Sequence, residues 1–256
     1  MSTTEGKHPG ALALIKNFAC SSVGAKVLMA LTGALMWLFV LQHMVMNLQA
    51  LLPMGAYPGE LINDYAHKLK SMGPIVWIAR FGLLATLGLH VVSAMRLVYL
   101  NKNARQNRYA MTHHKKAGIA SKLMPYTGIA LFIFIVFHIF HFTAPVRLDF
   151  LVDMGVLPDG WQNYLTYVDQ KGQPDVYKMV REGFSAVGVV AFYFVAMLAL
   201  FAHLYHGTVS LWQSLGLRHT RWTPVLRFVG MSTAGLILAG DLLIPLYIFL
   251  TYGLSK

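Results

Sequence analysis

This chain is nearly devoid of cysteine and poor in charge. Cys20 is the single cysteine among 256 residues, charged residues make up 12%, and only ten are acidic. One cysteine excludes an internal disulfide, and without a CxxC partner it also excludes covalent c-type haem attachment. So little charge argues against a soluble protein. No charge at all falls within Val27–Val40 or Thr127–Ile139. No cleaved leader is expected either, because the apolar stretch Ala11–Ile15 is short and is broken by Lys16 and Asn17. No repeat, low-complexity tract or second domain is evident along the sequence.

What is present is apolar length. Hydrophobic residues are 56% of the chain. They gather into five segments, roughly Lys26–Leu52, Ile75–Leu100, Leu123–Ala144, Phe184–Leu215 and Val225–Tyr252, numbered I to V. Each reaches the ~20 residues that span a bilayer. Long runs without alternation read as helices, the form that satisfies its own backbone in hydrocarbon. The expected fold is an all-α integral membrane bundle of five transmembrane helices, a single domain over 1–256. The I–II connection, with Pro58, Gly59, Asp64, His67 and Lys68, predicts a short surface helix over Glu60–Ser71. The III–IV connection, about Pro145–Arg181, carries Asp149, Asp153, Asp159, Asp169 and Asp175 with Trp161, Tyr164 and Tyr167, an aromatic set suited to a membrane interface. Pro224 starts segment V and Pro245 is expected to kink it.

The net charge of +11 does not point to nucleic acid, because it is sorted by side. The stretch up to Lys26, the II–III connection and the IV–V connection hold 13 Lys and Arg against one acid, Glu5. The opposite side holds eight of each sign, counting Arg80, and Asp241 lies inside segment V. The positive-inside rule then predicts a cytoplasmic N-terminus and an outside C-terminus. Arg96, Lys102, Arg105, Arg108, Lys115, Lys116 and Lys122 make the cytoplasmic face basic. Topology and anionic lipid account for such a run, and so does docking of a soluble partner.

Four of the five segments carry histidine deep inside: His43, His90, His138 with His141, and His203 with His206. An intramembrane imidazole costs free energy without a partner and is a functional candidate for that reason. Counting rise per residue from the entry side puts His43, His138 and His141 in the outer half, and His90, His203 and His206 in the inner half. The implied pairs are His43 with His138 or His141, and His90 with His203 or His206. Two neutral imidazoles on facing helices, without cysteine and with few carboxylates, suit the two axial positions of an iron porphyrin; zinc asks for more protein ligands. Two haems b stacked across the membrane follow, in an electron-transfer role. A single histidine bonded to a neighbouring helix is the plain alternative. Each doublet spans three residues and shares a face, so one member of each suffices.

At this point the chain resembles the cytochrome b membrane anchor of succinate:quinone oxidoreductases, the single-subunit type with five helices and two b haems. The resemblance covers all five helices. It is carried by SSVGAKVLMALTGALMWLFVLQH (Ser21–His43), HVVSAMRLVYLNKNAR (His90–Arg105), KLMPYTGIALFIFIVFHIFHF (Lys122–Phe142) and HGTVSLW (His206–Trp212). Carried over position by position, it implies His43 and His138 as ligands of the outer haem. His138 is chosen by its spacing from Thr127-Gly128. It implies His90 and His206 for the inner haem, with Trp212 as the aromatic that follows the fourth ligand. It further implies a flavoprotein and an iron–sulfur protein docked on the cytoplasmic face. Electrons would pass between them and a membrane quinone, menaquinone or ubiquinone, in a prokaryotic inner membrane, and such complexes can dimerise.

Asp64 and His67 occupy the stretch where relatives of this type place an acidic quinone-site residue; ordinary solvated loop residues are the other reading. Lys26 and Arg96 are candidate propionate contacts, or they snorkel to the interface. Some fumarate reductases of the family carry a glutamate two residues before the helix IV ligand, where this chain has Leu204; Asp241 is the remaining intramembrane carboxyl. Two rivals stand beside this reading. One is the cytochrome b of another quinone-linked complex, such as a hydrogenase or formate dehydrogenase. The other is a proton-coupled transporter whose histidines relay protons.

Overall fold

The computed structural model describes residues 10, 13, 16–18, 21–104, 119–144 and 166–255. Glu5, Cys20, Arg105, Arg108, Lys115, Lys116, Asp149, Asp153, Asp159, Trp161 and Tyr164 lie outside the described residues. Among those described, the regular elements are helices: α1 Ser22–Asn47, α2 Glu60–Ser71, α3 Pro74–Asn103, α4 Ile119–His138, α5 Val176–Gly183, α6 Val187–Ser214 and α7 Thr223–Thr251. Five of them, α1, α3, α4, α6 and α7, are long and apolar enough to cross a membrane and match segments I to V. The predicted surface helix appears as α2. Helix α5 was not anticipated, and segment IV begins at Val187 rather than Phe184 because a break separates the two helices.

The ends follow local chemistry. Ser21 caps α1, its hydroxyl accepting from Gly24 N at 2.9 Å. Pro74 opens α3, where its missing N–H costs nothing. Asp175 caps α5 by accepting from Lys178 N at 2.9 Å. Helix α4 widens at its end into a π turn, Ile139–Thr143, a deformation often met at functional sites. Helical assignment runs unbroken through Pro245.

Helix α1 packs on α3, α6 and α7, and α6 packs on α1, α4 and α7. The four helices α3–α1–α6–α4 thus form an arc, with α7 closing its back. Close approach of α7 depends on small residues. A Cβ at Gly230 would collide with Thr208, and one at Gly240 with Met44. Outward faces are apolar: Ile78, Phe81, Val92 and Met95 on α3 are 71%, 64%, 64% and 67% exposed. Such a surface belongs in lipid.

One end of the bundle, the cap, is closed by α2, the strand-like turn around Val168–Pro174 and α5. The opposite end, where α1 starts, is the base. Asn63, 1% exposed, ties the cap by donating to Asp175 (3.1 Å) and accepting from Tyr177 N (2.9 Å). Lys171 pairs with Glu60 (2.6 Å) and Asp64 (2.9 Å), and Tyr57 donates to Asp169 at 2.8 Å. Lys171 and a backbone N–H from Ala56 hold the Glu60 carboxyl below its ordinary value. Desolvation opposes Asp169 ionisation, but hydrogen bonds from Gln173 N, the Tyr57 phenol and Lys171 N hold it below its ordinary value too. Hydrogen bonds to Glu60 and Asp64 raise Lys171. Burial, then the bond to Asp169, pushes Tyr57 up to about 12.

Depressed carboxylates stabilise above their unfolded pKa and lose that contribution as pH falls. The raised lysine and phenol stabilise below theirs and lose it as pH rises. Hydrogen-exchange protection of α2 amides should therefore be flat between about pH 5 and pH 10 and decline on both sides. Lys171→Met should lower the plateau; an unchanged plateau in that variant would show that the ion cluster does not hold the cap.

Candidate functional site

Facing the hollow of the arc are the histidines, and they form two pairs. At the cap end the rings of His43 (α1) and His138 (α4) lie 5.8 Å apart between centroids, at 88°. Toward the base the rings of His90 (α3) and His203 (α6) lie 6.4 Å apart, at 61°. The ring opposite His90 is thus His203, not the His206 implied by the family resemblance. His206 sits one turn further toward the base and lines the same crevice.

The Nδ1 atoms of the base pair have defined roles. His90 Nδ1 lies 3.1 Å from Thr32 Oγ1, and that hydroxyl spends its single proton on the carbonyls of Leu28 (2.8 Å) and Met29 (3.2 Å). The threonine can therefore only accept, so His90 carries its proton on Nδ1 and presents Nε2 as a lone pair. His203 repeats the arrangement: its Nδ1 lies 3.1 Å from Thr127 Oγ1, which donates to Leu123 and Met124 carbonyls at 3.1 Å. Gly33 and Gly128 follow these threonines and give the rings room. A Cβ at Gly33 would stand 3.2 Å from His90 Cε1, and one at Gly128 3.6 Å from His203 Cε1.

At the cap end Asn47 Nδ2 donates to His43 Nε2 at 2.9 Å, which makes that nitrogen a lone pair as well. The Tyr193 hydroxyl stands between His138 Nδ1 (3.0 Å) and His141 Nδ1 (2.8 Å). A phenol has one proton, so it donates to at most one of the two rings. His141, 1% exposed, stacks on Phe142 at 3.8 Å and completes this chain within the π turn. Phe39 stacks on His43 and Phe134 on His138, at 5.4 and 5.6 Å.

These contacts expose a duplication that inspection of the sequence missed. Helix α1 reads Thr32-Gly33, nine residues, His43; helix α4 reads Thr127-Gly128, nine residues, His138, with Phe39 and Phe134 each four residues before the histidine. In each case the threonine serves the base histidine of the next long helix, and the terminal histidine serves the cap pair. The same spacing relates Arg80–His90 on α3 to Tyr193–His203 on α6. Eleven residues separate threonine and histidine, so the two pairs are about 16 Å apart along the helices. A search for Thr-Gly-x9-His would have revealed it.

A crevice of about 2960 Å³ runs through both levels, lined by His43, His90, His138, His203 and His206. That is far above the few hundred Å³ of ordinary ligand sites, in interiors that otherwise pack tightly. Two metal–nitrogen bonds of about 2.0–2.1 Å, plus about 1.1 Å from each nitrogen to its ring centre, place two rings about 6.3 Å apart around one metal. Both pairs are near that separation. Among the described residues no three His, Cys, Asp or Glu side chains converge as a metal site.

The remaining candidates divide. Asp64 and His67 are exposed on α2, and Asp64 is held by Lys171; Tyr65, Ala66, Leu69 and Lys70 present the face of α2 that lines the crevice. Lys26 lines the base of the crevice with Lys102, Arg218 and Arg227, while half-buried Arg96 is not among its lining residues. Asp241 lies half-buried on the packed stripe of α7 and lines the crevice. No family model, curated protein or solved structure matches this chain.

Thr127→Val keeps the shape and removes the acceptor for His203 Nδ1–H. It should cost about 1 kcal/mol of thermal stability in detergent, with Thr127→Ser near wild type. Equal stability of the valine variant would show that the hydroxyl does not serve His203.

Proposed function

We propose that the chain is a dihaem cytochrome b anchor of the succinate:quinone oxidoreductase type, passing electrons between docked soluble subunits and membrane quinone. The observation that carries this reading is the pair of cross-helix imidazole couples, each near single-metal separation, with the Nδ1 protons of His90 and His203 held by threonine hydroxyls. The crevice volume suits a macrocycle. His43 with His138 would hold one haem b, and His90 with His203 the other; His203 takes the place the resemblance gave to His206. A haem held by two imidazoles would supply one-electron transfer rather than oxygen binding.

The chain's own residues set the conditions for that chemistry. Thr32 and Thr127 orient the His90 and His203 rings and fix their tautomers, which raises ligand basicity, and Tyr193 orients His138. Apolar walls from Phe39, Phe134 and Leu131 keep water from the cap pair. With the base taken as cytoplasmic from the charge asymmetry, Lys26, Lys102, Arg218 and Arg227 ring the side where a flavoprotein and an iron–sulfur subunit would dock. The quinone would be met at the cap end, where Tyr65 rather than Asp64 or His67 offers a hydrogen-bond donor to the crevice. With His203 as ligand, the position two before it is Phe201, as apolar as Leu204, so helix α6 carries no carboxyl there.

A pyridine haemochrome assay on the purified protein tests the reading. Wild type should hold about two b haems per chain. His43→Ala, His138→Ala, His90→Ala and His203→Ala should each leave about one, while His206→Ala and His141→Ala retain both. Absence of haem from folded wild-type protein would overturn the proposal, and loss of one haem in His206→Ala with retention in His203→Ala would restore the assignment implied by the resemblance.

A further inference from the structure

Arg80 is a charge in an unusual place. It belongs to the stripe Val76, Arg80, Leu83, Leu87 and His90 of α3, every member of which lines the crevice. Ten residues before His90, it stands about 15 Å along the helix from the base pair and level with His43. A guanidinium inside a membrane bundle persists where an anion or comparable group meets it. Arg80 lies 4.8 Å from the Trp77 ring, a weaker partner than a carboxylate, and no carboxylate among the described residues pairs with it. The acids nearest in the cap are engaged elsewhere, Glu60 and Asp64 by Lys171 and Asp169 by Tyr57.

The duplication gives the position a meaning. Arg80 on α3 corresponds to Tyr193 on α6, and Tyr193 is the group that meets the cap ligand His138. Arg80 holds the matching place on the His43 side, where the chain has put a cation instead of a phenol. A second cation supports it. Lys70 of α2 lines the same stretch of crevice and is held below the ordinary lysine value, first by desolvation and then by the charge of Arg80. Two cations therefore line one crevice, and among the described residues neither is paired with a carboxylate; Asp241 of α7 is the carboxyl among its lining residues.

We propose that Arg80, with Lys70 behind it, is the anion site for a propionate carboxylate of the porphyrin carried by His43 and His138. The planar fork of an arginine matches a carboxylate with two N–H donors. A cation there favours the reduced cofactor, so the cap centre takes up its electron at higher potential than it would otherwise. This inference rests on the haem reading above.

The test uses purified protein loaded with haem labelled with ¹³C at the propionate carboxyls, read by redox-difference infrared spectroscopy and by redox titration. Arg80→Gln should shift the labelled carboxyl band and lower one of the two reduction steps about tenfold in equilibrium constant, ~59 mV for one electron. The other step should stay unchanged, and Arg80→Lys should recover most of both effects. Wild type without haem would remove the parent reading. Two haems with the band and both steps unmoved in Arg80→Gln would overturn the anion site alone. A rise in the quinone Michaelis constant with an unmoved band would assign Arg80 to quinone and overturn it as well. Should Arg80→Gln fail to fold, Lys70→Gln on the surface helix reads the same band, and no shift there counts against the proposal.

Discussion

A neutral imidazole has one proton and one lone pair, and in an apolar bundle neither can be left to water. Much of the interior of this protein follows from that constraint. The protons of His90 and His203 are taken by threonines that have already given their own protons to the backbone of their helix. The threonines cannot reverse the bond, so the lone pairs point into the crevice. Glycine follows each threonine beside a ring: a Cβ at Gly33 would crowd His90, and one at Gly128 would rest in contact with His203. Helix spacing, tautomer and cavity shape are thus settled together by two Thr-Gly steps.

The sequence made the five spans legible because burial in lipid demands long apolar runs, and charge asymmetry suggested the sides. Glu60–Ser71 was legible for the same reason: a polar, periodic stretch bounded by Gly59 and Gly73. The pairing of first with third and second with fourth segments also followed from counting residues. The choice within the His203–His206 doublet did not, because both share a face and only the position of Thr127 across the gap separates them. Asp64 and His67 were chosen as residue types suited to quinone, yet which face of a surface helix looks inward is decided by Ile62 and Asn63 packing beneath it. Arg80 was counted with the loop charges near the start of segment II, and its depth emerged only from its register with His90.

The two ends of the crevice differ in construction. At the base, cations stand around an opening between helices, so the charge is accessible to a large partner. At the cap, an amphipathic helix is clamped over the opening by Asn63, Lys171 and their acceptors, and the charge of Arg80 lies beneath it. In the proposed electron-transfer role, the step between the two histidine levels would run along the helices for about 16 Å, with the aromatic rings of Phe39, Phe134 and Tyr193 around the cap pair.

The duplicated spacing has an architectural consequence. Neither hairpin, α1 with α3 or α4 with α6, contains a whole histidine pair; each contributes one histidine to both levels. A hairpin of this design set against a copy of itself about an axis along the membrane normal would already enclose two complete pairs. The fifth helix is then an addition that breaks the equivalence by backing α1 and α6 and leaving α3 and α4 splayed. Arg80 in the place that corresponds to Tyr193 is the same asymmetry written in side chains, and it gives the two halves unlike surroundings at the cap.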